Sequence, residues 1–123
     1  KQREAEAQYQ QVLVTGFIDA NNVQWQTTGA ARDKVLDLTQ RIQEFRAGNM
    51  ASALPQGKAT IKLTDATGAR HDMGEADILA IAEQGSDFKD AAEDRLEQLS
   101  GQIQAATSHD ELDAIDISAG WPA

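Results

Sequence analysis

The sequence contains no cysteine, only two prolines and no long apolar run. Without cysteine the chain has neither disulfides nor thiol chemistry, which fits a reducing compartment or an extracellular particle assembled in one. No stretch approaches the roughly 20 apolar residues that cross a bilayer, and no signal-peptide pattern is present. The net charge of −9 and the absence of Lys/Arg clusters argue against nucleic acid and anionic membranes as partners.

Large aliphatic and aromatic side chains are also scarce. Leu, Ile, Val and Phe together number 24 of 123 residues, just under the ~20% level at which a highly charged chain is suspected of disorder. Sustained helical periodicity argues against disorder here. We therefore expect a single domain over residues 1–123, the C-terminal part of a longer protein, that completes its burial on a partner or on copies of itself.

The most regular pattern lies between Gly74 and Thr107. Its apolar residues, which we call the seam, follow steps of 3 or 4 and span 28 residues in eight steps, or 3.5 per step. They are Ile78, Ile81, Gly85, Phe88, Ala92, Leu96, Leu99, Ile103 and Ala106. This period predicts one long helix with an apolar face close to that of a coiled coil, capped by Gly74 and interrupted only by Gly85-Ser86. It leaves open whether the seam contacts another chain or the domain's own core.

The remaining segments predict an α+β fold in the order helix, hairpin, helix, hairpin, long helix, short helix. They are a helix at residues 1–14 ending at Gly16, a hairpin at 17–27 turning at Asn21-Asn22, a helix at 29–46, a hairpin at 60–73 turning at 65–68, and a short helix after the capping box Ser108–Glu111. We expect up to four strands in a small antiparallel sheet packed by helices on one face.

No motif in the chain predicts catalysis. His71 and His109 are the only histidines, and no nucleophile motif, phosphate loop or metal-spaced His pair accompanies them. The carboxylates of the long helix are interpreted as solubilising charge. We therefore predict no catalytic residue, no metal and no cofactor. Trp25 and Trp121 serve either as core or fold-back anchors or as ligand platforms.

Several runs occur in a familiar order. They are Gly16-Phe17, residues 26–32 (QTTGAAR), 74–82 (GEADILAIA), 103–107 (IQAAT), 112–116 (LDAID) and 120–122 (GWP). In this order the chain resembles, over nearly its whole length, a domain of unknown function found near the C-termini of tailed-bacteriophage and prophage proteins. The ending is the most specific part. Gly85-Ser86 departs from the pattern, as does the lack of an aromatic residue near Ala59–Ile61. The resemblance implies no catalytic residues.

The resemblance implies a non-enzymatic structural or interaction module of a tailed phage, in the tail fibre or its attachment apparatus. It would be located in the virion tail and assembled in the bacterial host cytoplasm. Its expected partners are other phage tail proteins and, since phage fibres commonly are trimers, copies of itself in a homo-trimer. The residues predicted to form the partner or oligomer interface are Phe88, Leu96, Leu99, Ile103, Trp121 and Trp25. If the seam is an oligomer contact, Leu99→Asp should dissociate the assembly.

Two alternatives remain open. The first is a tail-fibre assembly chaperone that binds the fibre tip. The second is a carbohydrate-binding module for host adsorption, which would use Trp25 and the flanking glutamines.

Overall fold

The computed structural model describes residues 1–123 and has the predicted α+β architecture. Its elements are α1 (Gln2–Thr15), β1 (Phe17–Ile18), β2 (Gln24–Trp25), α2 (Gly29–Arg46), a 3₁₀ turn (Pro55–Gly57), β3 (Ile61–Thr64), β4 (Arg70–Met73), α3 (Glu75–Ala105) and α4 (His109–Asp113). No helix is long and apolar enough to span a membrane.

Helix α3 is continuous over 31 residues, as the seam predicted. Gly74 precedes it in extended conformation, and its amide donates to Asp77 Oδ2 at 3.0 Å. That bond satisfies one of the free amides near the helix N-terminus and places a carboxylate at the positive end of the helix dipole. The helix does not break at Gly85-Ser86.

The first hairpin closes directly onto the end of α1. Phe17 pairs with Trp25, and the predicted turn contains Asn22 at φ 62°. Gly16, at which the sequence predicted the end of α1, has φ 81° and ψ −165°, a conformation essentially restricted to glycine. A Cβ atom at this position would lie 1.8 Å from the Trp25 carbonyl oxygen, so only glycine allows the strand to pass so closely.

The second hairpin has the predicted turn, in which the Asp65 amide donates to the Ala69 carbonyl at 2.8 Å. The four strands form two separate two-stranded sheets. One backbone bond, from the Ala66 amide to the Gln24 carbonyl (2.8 Å), connects the turn of the second hairpin to β2. The hairpins therefore meet turn to strand, without forming one continuous sheet.

Helices α1 and α2 both pack against α3, and the hairpins close the same core. The core residues are Leu13, Phe17, Trp25, Val35, Leu38, Ile42, Leu54, Leu63, Ile78, Ile81, Ala82, Phe88 and Ala92. More than half of the buried large apolar side chains lie in loops, hairpins and α2, outside the seam. Most of these buried side chains thus form one connected core cluster.

The chain ends in α4 and an extended tail. Ser108 Oγ accepts from the Glu111 amide at 3.1 Å, which is the first half of the predicted capping box. The carboxylate of Glu111 accepts from the amide and the hydroxyl of Thr107, one residue earlier than predicted. Glu111 thereby joins the end of α3 to the start of α4.

Candidate functional site

The two hairpins meet around the indole of Trp25. This side chain is 3% exposed. Its Nε1–H donates to Asp19 Oδ2 at 2.8 Å, and its ring centroid lies 5.5 Å from that of His71. The buried indole therefore has the polar partner that a tryptophan N–H requires in a core. A stacking platform for a sugar needs an exposed ring face, and this ring does not provide one.

Asp19 organises the turn of the first hairpin. Its Oδ1 accepts from the amides of Asn21 (2.8 Å) and Val23 (3.0 Å), while Oδ2 accepts from Trp25. Burial on its own would raise the pKa of Asp19, but the bond from Trp25 and those from the two amides leave it lowered. The aspartate stays ionised because three donors favour its charged form.

Asp65 performs the same role in the second hairpin and is almost fully buried. Its Oδ1 accepts from the Thr67 hydroxyl (2.6 Å) and from the amides of Thr67 and Ala69, and its Oδ2 lies 2.7 Å from His71 Nε2. The hydrogen bonds from Thr67 and His71 exceed the opposing effect of burial and lower the pKa of Asp65 to about 2. Since an ionised carboxylate only accepts, Nε2 of His71 carries a proton.

A cleft of about 420 Å³ opens beside this cluster, lined in part by Asp19, Trp25, His71 and Asp77. None of its lining residues is a serine, threonine, cysteine, lysine or tyrosine. The cleft thus offers a histidine next to carboxylates and none of the hydroxyl, thiol or amine side chains that serve as nucleophiles in many enzymes. No group of three or more His, Asp or Glu side chains is placed to hold a metal ion.

Half of the residues predicted to form the interface lie inside the domain. Trp25, Phe88 and Leu99 are 3%, 6% and 0% exposed, and the ring of Phe88 lies 6.0 Å from that of Phe17. Leu96 and Ile103, which lie on either side of Leu99 in α3, are half-buried. The seam up to Ala92, together with Leu99, is therefore part of the domain's own interior, and the other seam residues keep some accessible apolar surface.

Trp121 anchors the C-terminal tail against α1, as the fold-back interpretation predicted. Its Nε1–H donates to the Ile117 carbonyl at 2.6 Å, and its half-buried ring lies 6.4 Å from that of Tyr9. Arg95 on α3 donates from Nε to the Ala119 carbonyl at 2.9 Å. The tail is thus held by α1 and α3 together.

A family model described as "Domain of unknown function (DUF4376)" matches residues 1–119. The chain belongs to the DUF4376 family. No curated protein and no solved structure gives a significant match. The resemblance to a domain of unknown function is therefore confirmed.

One feature of this DUF4376 domain was missed from the sequence. Arg32 is 8% exposed, and its Nη2 donates to the Ala82 carbonyl (3.1 Å) and to Ser86 Oγ (3.4 Å). Burial lowers the pKa of Arg32. The guanidinium lies over Gly85, so this glycine leaves space between α2 and α3. The sequence feature that could have indicated this contact is a glycine on the apolar face of a segment that otherwise favours a helix.

The pairing of Asp65 with His71 was missed as well. The sequence predicted the turn at residues 65–68 but identified no partner for His71. The register, which pairs Leu63 with His71, brings the imidazole back over the turn. A histidine two residues beyond the Ala69 that closes the turn was the signal for this contact.

Proposed function

We propose that this DUF4376 domain is a non-enzymatic protein–protein interaction module of a tailed phage, located in the tail fibre or its attachment apparatus. The proposal rests on the contacts that the two buried ionisable side chains make within the domain. Arg32 joins α3 to α2, and Asp65 closes a turn and holds His71. Neither is left free for a substrate, which supports a binding rather than a catalytic role.

The phage placement rests on the resemblance of the ordered runs, above all the ending at residues 103–107, 112–116 and 120–122. In this structure those runs build the end of α3, α4 and the tail that Trp121 anchors. The most specific part of the resemblance is thus a folded surface, which supports its use in contact with another tail protein.

The partner contact is proposed to involve those predicted interface residues that the domain does not fully bury. Leu96 and Ile103 on α3 and Trp121 on the tail are half-buried and lie in the C-terminal half of the chain. They differ from Phe88 and Leu99, whose side chains are already covered by the chain itself. As part of a fibre, the domain is proposed to form a homo-trimer, assembled with other tail proteins in the host cytoplasm.

One observation favours a second candidate, a tail-fibre assembly chaperone. The seam around Phe88 and Leu99 is closed within one chain, so a single copy buries its own core. A domain that folds without partner subunits is suited to act on a fibre transiently.

The experiment is an in-frame deletion of this domain in a phage that carries it, followed by mass spectrometry of purified particles. For a fibre component, the protein is expected in wild-type particles, and the deletion should abolish host adsorption. For a chaperone, the protein should be absent from particles whose fibres nevertheless require it. Wild-type fibre content and adsorption after deletion would overturn both candidates.

A further inference from the structure

A cationic cleft lies between α2 and the second hairpin of this strongly acidic chain. Its volume is about 430 Å³, and four of its seven lining residues are Lys or Arg. They are Lys34, Lys58, Lys62 and Arg70. Asp72, which pairs with Lys62 at 3.0 Å, is the one carboxylate in the cleft. The sequence indicated no Lys/Arg cluster because these residues are never adjacent and are spread over positions 34–70, and the fold brings them together.

Two of the four cations have no partner within the chain and are therefore available to bind a ligand. Lys34 Nζ donates to the Lys62 carbonyl at 3.3 Å, which fixes one wall. The side chains of Lys58 and Arg70 are exposed and make neither a hydrogen bond nor an ion pair. A positive cleft with free donors attracts carboxylates even where the whole molecule is negative.

The solvent face of α3 carries the opposite charge, in what we call the acidic stripe. Its five carboxylates repeat at steps of 4, 3, 4 and 3 and are all exposed. They are Glu83, Asp87, Asp90, Asp94 and Glu97. None of them is within ion-pair distance of a cation. Like charges at these spacings destabilise a helix, so the acidic stripe gains from a cationic partner.

We propose that the cationic cleft of one copy binds the acidic stripe of a second copy. The helical spacing sets the five carboxylates along one line of about 21 Å, at 1.5 Å per residue. The acidic stripe is on α3 and the cleft is on α2, β3 and β4, so the contact uses two different surfaces and is heterologous. Heterologous contacts join copies head to tail and close into rings where the rotation allows.

The net charge does not prevent this contact at physiological salt. There the Debye length is about 8 Å, so repulsion between whole molecules is screened while directly touching charges still interact. The buried seam does not compete for the same surface. The proposal concerns the isolated chain in solution and is independent of the placement in a phage tail.

The test is sedimentation velocity of the purified chain over a range of concentrations. Lys58→Glu with Arg70→Glu reverses the cleft, and Asp90→Lys with Asp94→Lys reverses the acidic stripe, in each case at side chains without a hydrogen bond in the structure. Glu4→Lys with Asp113→Lys is the matched control, because it changes the net charge by the same amount as the stripe variant but on other exposed surfaces.

The wild type and the control are expected to rise above the 13.3 kDa monomer mass with concentration at physiological salt. Each reversed variant alone should associate at least about tenfold more weakly, because like charges then face each other. An equimolar mixture of the two should associate again, since each reversed surface finds its complement. Circular dichroism establishes that both variants are folded.

A wild type that stays monomeric throughout the range overturns the proposal, and so does a stripe variant that associates like the wild type. A monomeric wild type that nevertheless binds a poly-glutamate peptide, with binding lost in the cleft variant, would assign the cleft to an acidic segment of another protein. That result also overturns the contact between copies.

Discussion

The guanidinium of Arg32 lies directly over Gly85, where an added Cβ atom would sit 2.4 Å from Nη1. Arg32 is 8% exposed and bonded to the Ala82 carbonyl, so it has little room to move. One of the two glycines in α3 is therefore the position at which α2 approaches through a buried cation. This close approach decides whether a methyl group added at position 85 stabilises or destabilises the domain.

Gly85→Ala is expected to destabilise the domain by about 1 kcal/mol. The gain in helix propensity of about 1 kcal/mol is outweighed by the 1–3 kcal/mol that overpacking typically costs. Gly101→Ala is the matched control, since it lies in the same helix and a Cβ there meets nothing within 4 Å. It should stabilise by up to about 1 kcal/mol. Urea unfolding measures both. Equal stabilisation by the two variants would mean that Arg32 leaves its site easily.

The two residues should also be coupled. Arg32→Ala removes the group that an alanine at position 85 would meet, so Gly85→Ala in that background should be neutral or stabilising. A double-mutant cycle with urea unfolding measures this coupling, which for residues in contact is about 0.5–3 kcal/mol. Additive effects of the two substitutions would contradict the steric explanation.

Asp65 should make the unfolding free energy of the domain depend on pH in the acidic range. Its pKa is about 2 in the folded chain against an ordinary value of 3.8, so the unfolded state binds the proton more readily. The carboxylate therefore contributes about 2 kcal/mol above pH 5, and this contribution is lost as the pH falls from about 4 to about 2. Asp65→Asn should be less stable than the wild type at pH 7, with the difference shrinking towards pH 2.

Urea unfolding of both proteins between pH 7 and pH 2 measures this difference. Asp94→Asn controls for the lost charge, because Asp94 is exposed and makes no ion pair. A difference between Asp65→Asn and the wild type that stays constant with pH would show that the hydrogen bonds of Asp65 do not depend on its ionisation.

Leu99 and Leu96 should respond differently to truncation. Leu99 is 0% exposed, so Leu99→Ala should cost about 2–5 kcal/mol of unfolding free energy. Leu96 is half-buried, and Leu96→Ala should cost clearly less. Leu99→Asp, which the sequence suggested as a test of an interface, is now expected to unfold the chain. A folded Leu99→Asp variant, judged by circular dichroism, would contradict the position of Leu99 in the core.

Trp121→Ala should release the C-terminal tail without unfolding the domain. The substitution removes the bond to the Ile117 carbonyl and the packing against Tyr9. Hydrogen exchange of the amides in residues 115–121 should accelerate, while amides in α2 keep their protection. Trp25→Ala is the contrasting variant, since its ring is in the core and its loss should affect both hairpins. Unchanged exchange in the tail of Trp121→Ala would show that Arg95 alone holds it.

The elements that the sequence predicted well are those whose signals are local. The 3.5-residue period of the seam predicted the continuous helix α3, and Asn21-Asn22 and residues 65–68 predicted the two turns. Periodicity and turn chemistry need only neighbouring residues, so a single sequence contains them.

What the sequence did not predict depends on contacts between distant segments. The seam's period is the same whether Leu99 faces a second chain or α1, so periodicity could not separate the two. Arg32 and Gly85 are 53 positions apart, and the four cations of the cleft come from α2, β3, β4 and the loop before β3. Such groupings exist only once the helices and hairpins have packed.

The contacts of α1 also determine when this domain can fold during synthesis. Gln2 donates to Ser100 Oγ at 2.9 Å, and Lys1 Nζ donates to the Ile115 carbonyl at 3.2 Å. Within this domain, the start of α1 therefore finds these partners only when residues up to Ile115 have been translated. The first hairpin, by contrast, is translated directly after α1 and can contact Leu13 early. A ribosome stalled within α3 would therefore hold an α1 whose C-terminal end has native contacts while its N-terminal end has none of these partners.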